Sequence, residues 1–568
     1  MKAIQSLLLA LLVFLKITIT NASQDAKLDI NEKETNKSLQ NNRIISFPLM
    51  NHEQFLERHH RERRLREGDA YNDDISKIQT PRRTSKILPH AELYQGIGTH
   101  YVDIWVGTPD AQRQTVIVDT GSDLTAFPCD PCKDCGANYH TDNFFKDENS
   151  VSFHLQQCSE CWLGKCKHAE DFNFCGIHMG YAEGSSWSAY EVVDWVYIGG
   201  EHDKAEHRER QTRNLGNADT IAQSGGGLRN MQQDTESMEE TFMEEAEEAE
   251  EEYEEEHEND KFWAKDYGFE MNFGCQYKIT GLFKTQLADG ICGMENSERS
   301  FWKQMYKKGK IDKEAFSLCF IHSEKIERAG SHAGAVTLGG TNVGMHKSKM
   351  VYADMFDIDG WYGVTVNAIY LKSSENSRRL DDGDSEESNS NTTKSLPSNI
   401  QKLELNLGAT NREGVIVDSG TTESYFSSSI SAPFKTAFRE LMGFEFHPIL
   451  PKREGETNPY TDYPTIVIQL KAAYSTTDDE LMDSSGNSLP GLANSLDLDH
   501  PNDILLEIPP KQYMLWSAKS KVYSNRFHMD ETSNYMVIGA NAMTGHDIMF
   551  DVEKRRLGLA LSDCKFEA

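Results

Sequence analysis

The sequence predicts a protein of two related halves, each with a buried β-strand that leads into a sharp turn. Two observations predict it: one short phrase occurs twice, and the 568 residues exceed what one ordinary core holds. The phrase is Val-Ile-Val-Asp, a hydroxyl residue and glycine, at residues 116–121 and again at residues 415–420. A β-branched run is typical of a strand, and the glycine of a tight turn. Two such phrases, rather than one, indicate a duplicated half-domain.

The repeat brings two carboxylates, Asp119 and Asp418, to corresponding places in the two halves. Two carboxylates close together do not both ionise readily, so the pair holds a shared proton. The ionised member can take a proton from a water held between them, while the protonated member polarises a substrate carbonyl. This chemistry hydrolyses a peptide bond without a cofactor or a metal, so we expect neither. The alternative, in which each Asp only caps a turn, does not explain the repeat.

These motifs resemble those of the pepsin family of aspartic proteases, over roughly residues 93–564. The resemblance implies an all-β fold of two homologous β lobes with the cleft between them. It also implies that Asp119 and Asp418 are the catalytic pair. Other segments that match the family are Tyr101–Pro109, Ile291–Gly293, Ala333–Gly340, Trp361–Val364 and Val537–Gly539.

The same resemblance assigns supporting roles to the residues after each Asp. Thr120 and Ser419 would cross-bond the two loops beneath the pair, and Ser122 and Thr421 would hydrogen-bond the outer carboxylate oxygens. Further residues expected to support the site are Gly121, Gly420 and Thr422.

A flap over the substrate is expected at residues 181–185, where the family writes Tyr-Gly-x-Gly-Ser. Tyr181, Gly184 and Ser185 match that motif, and Tyr181 would help to exclude water. Two residues depart from the family pattern at the flap. Ala182 replaces the usual glycine, and Phe127 stands where pepsin-like members carry a tryptophan that bonds the flap tyrosine.

Composition limits the class of protein. The formal net charge of −32 excludes a nucleic-acid binder held by general electrostatics. Eleven cysteines indicate an oxidising compartment, and the apolar run near residues 7–15 predicts a signal peptide over residues 1–22. We expect a pro-segment over residues 23–92, no transmembrane anchor after signal removal, and a location in the secretory pathway, either secreted or lumenal.

Most of the cysteines are expected to form disulfides. A Cys-x-x-Cys-x-x-Cys run also suggests zinc, but a closed zinc site needs four ligands, and the spacing resembles the cysteine-rich insert (129–175) of the nepenthesin-type, plasmepsin V-like branch. Eight first-lobe cysteines would pair among themselves, in a connectivity that the sequence leaves open: Cys129, Cys132, Cys135, Cys158, Cys161, Cys166, Cys175 and Cys275. The resemblance implies that Cys319 bonds Cys564, and it leaves Cys292 as a buried free thiol.

Polar inserts interrupt both expected lobes, which span residues 93–310 and 311–568. The insert 201–260 carries 21 acidic and 5 basic residues, which is half of the net charge of the chain, and is expected to be disordered. The inserts 373–399 and 475–503 are expected to be surface loops. Asn391 begins the one sequon expected to carry a glycan in the mature protein.

The sequence therefore predicts an aspartic endopeptidase, made as a zymogen and active as a monomer on protein or peptide substrates. One alternative is a catalytically inactive peptide-binding protein on the same scaffold, because a fold does not guarantee a function. Such relatives typically lose an Asp, a Gly or the flap Tyr, all of which this chain keeps. Another alternative, an acidic cation-binding lumenal protein, depends only on the glutamate-rich insert.

Overall fold

The structure is a computed structural model. It describes residues 90–95, 100–168, 173–199, 267–321, 332–374, 396–452, 459–517, 520–531 and 536–564. Five predictions lie wholly or mostly outside the described residues: the signal peptide, the pro-segment, the acidic insert, the surface loop at 373–399 and the glycosylation of Asn391.

Strands dominate the described part of the first half. They are β1 (His90–Gln95), β2 (His100–Val106), β3 (Gln112–Asp119), β4 (Ala126–Pro128), β5 (His154–Leu155), β6 (Lys165–His168), β7 (Asn173–Gly180), β8 (Ser186–Ile198), β9 (Phe269–Ile279) and β10 (Gly290–Gly293). The helix α1 (Phe301–Lys307) follows, and short 3₁₀ helices lie at Asp147–Asn149 and Gly281–Lys284. Strand β1 begins at His90 rather than at the predicted lobe boundary of residue 93.

The described part of the second half is also built mainly of strands. They are β11 (Ala315–Phe320), β12 (His332–Leu338), β13 (Val351–Ile358), β14 (Trp361–Val364), β15 (Val366–Lys372), β16 (Ile400–Lys402), β17 (Val415–Asp418), β18 (Ser424–Ser427), β19 (Ile449–Pro451), β20 (Thr465–Leu470), β21 (Ile504–Ile508), β22 (Met514–Ser517), β23 (Val522–Asn525), β24 (Phe527–Glu531), β25 (Met536–Gly539), β26 (His546–Asp551) and β27 (Arg556–Leu561).

Short helices connect these strands. They are α2 (Leu407–Thr410), α3 (Ser431–Met442), α4 (Asp478–Leu481), α5 (Pro510–Tyr513) and α6 (Ala540–Met543), with 3₁₀ helices at Val343–Met345, Ser428–Ile430 and Asn494–Leu496. Helix α3 buries Phe434, Phe438 and Leu441 on one face and ends at Gly443, whose φ of 76° is left-handed. No helix among the described residues is long and apolar enough to cross a membrane.

The two repeated phrases form equivalent central strands. Strand β3 pairs in parallel with β10, so that Asp119 lies opposite Gly293. Strand β17 pairs in parallel with β25, so that Asp418 lies opposite Gly539. The Val-Ile-Val run is buried in both strands, as expected for the centre of a sheet. The duplication in the sequence is therefore a duplication of strand pairing.

Strand pairing and core packing link the two halves. Strand β1 pairs with β2 of the first half and with β12 of the second half. One apolar cluster contains Val118 of the first phrase and Val417 of the second. These features confirm the predicted fold class, a mainly β protein of two related halves.

Five disulfides involve ten of the eleven cysteines. The first-lobe bridges are Cys129–Cys275, Cys132–Cys135, Cys158–Cys166 and Cys161–Cys175. Cys319 on β11 bonds Cys564, and Cys292 on β10 is free and buried. The bridge from Cys129 to Cys275 links the residue after β4 to β9. It therefore connects covalently the parts of the first lobe on either side of the predicted acidic insert.

The insert 475–503 is mostly exposed, but it is anchored to the rest of the protein at several points. Leu489 and Leu492 are buried in the core cluster, and α4 is held at Glu480 by the Arg556 guanidinium over 3.0 Å. The apolar residues of this insert follow neither a helical nor a strand period, so the sequence pattern did not distinguish an anchored segment from a loop.

Candidate active site

A local turn fixes the carboxyl of the first phrase. Asp119 is the last residue of β3 and is 6% exposed. The Gly121 backbone N–H donates to its Oδ1 over 2.9 Å, and the Ser122 hydroxyl donates to its Oδ2 over 2.5 Å. Both donors belong to the three residues that follow Asp119, so the phrase itself orients the carboxyl.

The second phrase repeats this arrangement atom for atom. Asp418 is the last residue of β17, and the Gly420 backbone N–H donates to its Oδ1 over 2.9 Å. The Thr421 hydroxyl donates to Oδ2 of Asp418. Ser122 and Thr421 thus lie where the sequence predicted, each on one carboxylate oxygen.

The two turns are joined by reciprocal hydrogen bonds. The Ser419 backbone N–H donates to the Thr120 hydroxyl over 2.9 Å, and the Thr120 backbone N–H donates to the Ser419 hydroxyl over 3.1 Å. Each hydroxyl then donates across to the opposite strand, Thr120 to Val417 O over 3.1 Å and Ser419 to Val118 O over 2.8 Å. Thr120 and Ser419 are each 1% exposed. These four buried bonds hold the two phrases in one register.

The two carboxyls lie close together because glycine is present on both sides. A Cβ built on Gly420 would lie 2.0 Å from Oδ1 of Asp119, and one on Gly121 would lie 2.9 Å from the Asp418 carboxyl. A side chain at Gly121 or Gly420 would clash with the aspartate carboxyl of the other phrase, so only glycine allows the two phrases to lie this close.

The closeness of the two carboxyls changes their ionisation. Burial, and then the negative charge of Asp418, raise the pKa of Asp119 to about 8. One carboxyl of the pair therefore keeps its proton at neutral pH. A shared proton between two carboxyls is the arrangement that combines a base and an acid in one site.

The predicted flap is a tight hairpin between β7 and β8. The Tyr181 N–H donates to Ser185 O over 2.9 Å, and the Gly184 N–H donates to Tyr181 O over 3.0 Å. Gly184 has a φ of 95°, which explains a glycine at this point of the turn. The Tyr181 ring packs edge-on to Phe283 at 5.1 Å between centroids. Burial, and then the charge of Asp119, raise the pKa of Tyr181.

The sequence analysis missed the partner of the flap tyrosine. Trp187 on β8 donates from Nε1 to the Tyr181 hydroxyl over 3.1 Å and is 1% exposed. Phe127 is buried in the first-lobe core instead, stacked on Phe273 at 4.8 Å. The one available signal was a tryptophan two residues beyond the flap motif, on the strand that continues the same hairpin.

Two predicted residues lie at the edge of the site rather than in it. The Ser185 side chain is buried and accepts a hydrogen bond from Leu282 N over 2.9 Å, so it holds the flap to the neighbouring turn. Thr422 accepts from the Asn541 N–H through its carbonyl over 3.2 Å. Both contacts support the loops around the carboxyl pair.

Strand β14 of the second half packs against the first phrase. Trp361 Nε1 donates to Gly121 O over 3.0 Å, and the Tyr362 hydroxyl donates to Met294 O over 2.6 Å. Glu295, which the sequence did not single out, lies half-buried at this contact. Burial, followed by the negative charge of Asp123, raises the pKa of Glu295 to about 7.

Among the described residues, one group has the composition of a metal site: Cys161, Cys175 and Glu191. Cys161 and Cys175 are bonded to each other, and Glu191 accepts backbone N–H groups from Trp162 and Gly164 over 2.9–3.1 Å. The sulfur and carboxylate atoms of this group are therefore already bonded, and the Glu191 carboxylate anchors the cysteine-rich insert to β8.

Comparison with known proteins was made against family models and curated sequences. The model of the eukaryotic aspartyl protease family matches residues 270–562, which is more than half of the chain. The model described as the N-terminal part of xylanase inhibitors matches residues 100–223.

Several curated relatives are aspartic proteases. Nepenthesin-2 of Nepenthes gracilis is 30% identical over 138 residues, 23% of this chain and 27% of the relative. Plasmepsin V of Plasmodium falciparum is 34% identical over 102 residues, 17% of this chain and 16% of the relative. Aspartic protease 5 of Toxoplasma gondii is 33% identical over 114 residues, 18% of this chain and 11% of the relative. The chain thus matches between 11% and 27% of the length of these relatives. Taken with the two paired aspartate phrases, the family match shows that this chain belongs to the eukaryotic aspartyl protease family.

Proposed function

We propose that this chain is an aspartic endopeptidase in which Asp119 and Asp418 are the catalytic residues. The observation that carries the proposal is the reciprocal contact of the two phrases, which holds two carboxyls together with one pKa raised to about 8. A structural pair of turns would not need glycine at both points of closest approach.

The mechanism follows from this geometry. A water between the carboxyls gives a proton to the ionised one and attacks the scissile carbonyl carbon, while the protonated one donates to the carbonyl oxygen. The tetrahedral intermediate then collapses as the carboxyl that gained a proton donates it to the leaving amine nitrogen. The carboxyl that lost its proton takes one from a hydroxyl of the intermediate, which restores the starting pair. Ser122 and Thr421 keep the two carboxyls oriented through both steps. Each hydroxyl donates to Oδ2 of its aspartate, while the backbone N–H of the neighbouring glycine donates to Oδ1.

The flap is proposed to cover the bound peptide. Tyr181 lies at its tip, fixed by Trp187 on one side and by Phe283 on the other. Closing a hydrophobic ring over the carboxyl pair removes bulk water and strengthens the electrostatic interactions inside.

We further propose that the protein is made as a zymogen in the secretory pathway. Five disulfides support an oxidising compartment. The apolar N-terminal run and the basic segment before residue 92 support a signal peptide and a pro-segment. N-terminal sequencing of the protein from the secretory pathway of a eukaryotic host tests both cleavages.

A second candidate is a binding protein on the same scaffold. The match of residues 100–223 to a xylanase-inhibitor model favours it. Against it, both aspartates, both glycines and the flap tyrosine are intact, and a binding protein has no need of a shared proton.

Peptide hydrolysis tests the proposal. The processed protein is incubated with a denatured protein in ¹⁸O water across pH 3–8, and the products are mapped by mass spectrometry. We expect internal cleavage, with one ¹⁸O in each new carboxyl group because water attacks directly. No cleavage at any pH by folded protein would refute the endopeptidase and favour the binding protein.

A further inference from the structure

The strand pairing gives an internal equivalence between the two halves. Counting from each aspartate, Leu124 corresponds to Glu423 and Ala126 corresponds to Tyr425. The pairing supports this count, since Ala126 lies opposite Ile291 on β10 and Tyr425 lies opposite Val537 on β25.

The equivalence extends to the neighbouring parallel strand in each half. Ala126 on β4 pairs in parallel with Gly274 on β9. Tyr425 on β18 pairs in parallel with His528 on β24. Two equivalent sheet faces therefore follow the two aspartates.

The face in the first half is apolar. Leu124, Ala126 and Ile291 belong to one buried cluster, and the flap residue Tyr181 packs against it. This face therefore lies beside the flap, and it favours an apolar side chain of a bound peptide because apolar surfaces pack together.

The equivalent face in the second half is polar and partly open. Arg526 donates from Nη1 to Glu423 Oε1 over 2.5 Å, and His528 Nε2 lies on Glu423 Oε2. The His528 ring stacks on Tyr425 at 4.7 Å between centroids. The side chains of Glu423, Arg526 and His528 are 17%, 25% and 35% exposed.

The Glu423, Arg526 and His528 cluster has more N–H donors than the Glu423 carboxylate accepts. Glu423 provides one carboxylate for one guanidinium and one imidazole. Arg526 Nε is buried without a hydrogen-bond partner among the described residues. The rest of the guanidinium is partly exposed, and a guanidinium binds carboxylates well because it presents several donors in one plane.

We propose that Glu423, Arg526 and His528 form a specificity site on the second-half wall of the substrate cleft, which accepts a carboxylate side chain of the substrate. The inference rests on the proposed function, because it names the class of peptide that the enzyme selects. Glu423 positions the guanidinium and the imidazole, and Arg526 and His528 contact the substrate. The two faces would then select different side chains, an apolar one beside Asp119 and an acidic one beside Asp418.

Two variants that act in opposite directions test this site. A set of fluorogenic peptides carries Glu, Gln or Lys at each position from four before to four after the scissile bond. We expect wild type to prefer Glu over Lys at one position, by about tenfold or more in kcat/KM, the factor that one charge-assisted contact provides. Arg526→Gln should reduce that ratio by about tenfold, and Glu423→Gln should raise it because the Arg526 guanidinium loses its internal counter-charge.

Lys372→Gln provides the matched control. It removes an ion pair with Glu507, 3.0 Å long, on the distant sheet of β15 and β21. We expect the control to leave the Glu-to-Lys ratio unchanged. A ratio that stays the same in both Arg526→Gln and Glu423→Gln would overturn the inference and assign the cluster a structural role.

A binding measurement separates this inference from the proposed function. Asp119→Asn protein is titrated with the Glu and Lys peptides, with and without Arg526→Gln, by fluorescence anisotropy. Tighter binding of the Glu peptide that depends on Arg526 supports the site even if wild type cleaves nothing. Equal binding of the two peptides contradicts the site even if wild type is an active protease.

Discussion

Thr120→Val tests whether the cross-bonds between the two phrases hold the carboxyl pair. Valine keeps the shape of threonine but removes the hydroxyl. The Ser419 N–H then loses its acceptor and Val417 O loses a donor, in a place where Thr120 and Ser419 are 1% exposed. Each buried group left unpaired costs about 1–3 kcal/mol, so we expect the two groups to cost about 2–6 kcal/mol in the free energy of unfolding. Urea unfolding monitored by tryptophan fluorescence measures it.

Thr120→Ser is the matched control, because serine retains the hydroxyl. We expect it to stay within about 1 kcal/mol of wild type. We also expect kcat/KM for a peptide to fall in Thr120→Val by more than the stability loss alone explains, since the two carboxyls lose their fixed register. A destabilisation below about 1 kcal/mol in Thr120→Val, with wild-type activity, would refute this reasoning.

Two further predictions concern the flap and the carboxyl pair. Trp187→Phe removes the donor to the Tyr181 hydroxyl, worth about 0.5–1.5 kcal/mol, so kcat/KM should fall about three- to tenfold. The exposed Trp162→Phe should leave kcat/KM unchanged, and equal effects of the two substitutions would contradict the role of Trp187. The folded state raises the pKa of Asp119 from 3.8 to about 8. Between these pH values, folding takes up a proton that the unfolded chain has released, so the free energy of unfolding falls as the pH rises. Asn bears no charge, so the Tm of Asp119→Asn relative to wild type should increase from pH 5 to pH 8, and a constant or decreasing difference would argue against the raised pKa.

The sequence predicted those parts of the site that lie within a few residues of each aspartate. The family resemblance implied the roles of Ser122 and Thr421, and the structure shows that each lies three residues after its aspartate and donates to it. The cross-bonds of Thr120 and Ser419 required the family resemblance, because residues 299 apart in sequence cannot be matched by spacing alone.

Contacts set by the way strands pair and fold back were not predicted. Trp187 reaches Tyr181 because the hairpin of β7 and β8 folds back on itself, a geometry that no residue pattern specifies. The Glu423 cluster joins residues more than 100 positions apart, and its partners become neighbours only through the parallel pairing of β18 and β24. Glu295 becomes notable only because a loop of the second half covers it.

A double-mutant cycle on the two aspartates tests the central claim most directly. Asp119→Asn, Asp418→Asn and the double variant are assayed for peptide hydrolysis beside wild type. If the carboxyls work as one unit, each single substitution reduces kcat/KM by about a thousandfold or more, and the double variant loses little beyond that. Multiplicative losses, or a single variant that retains near wild-type hydrolysis, would contradict a shared catalytic pair.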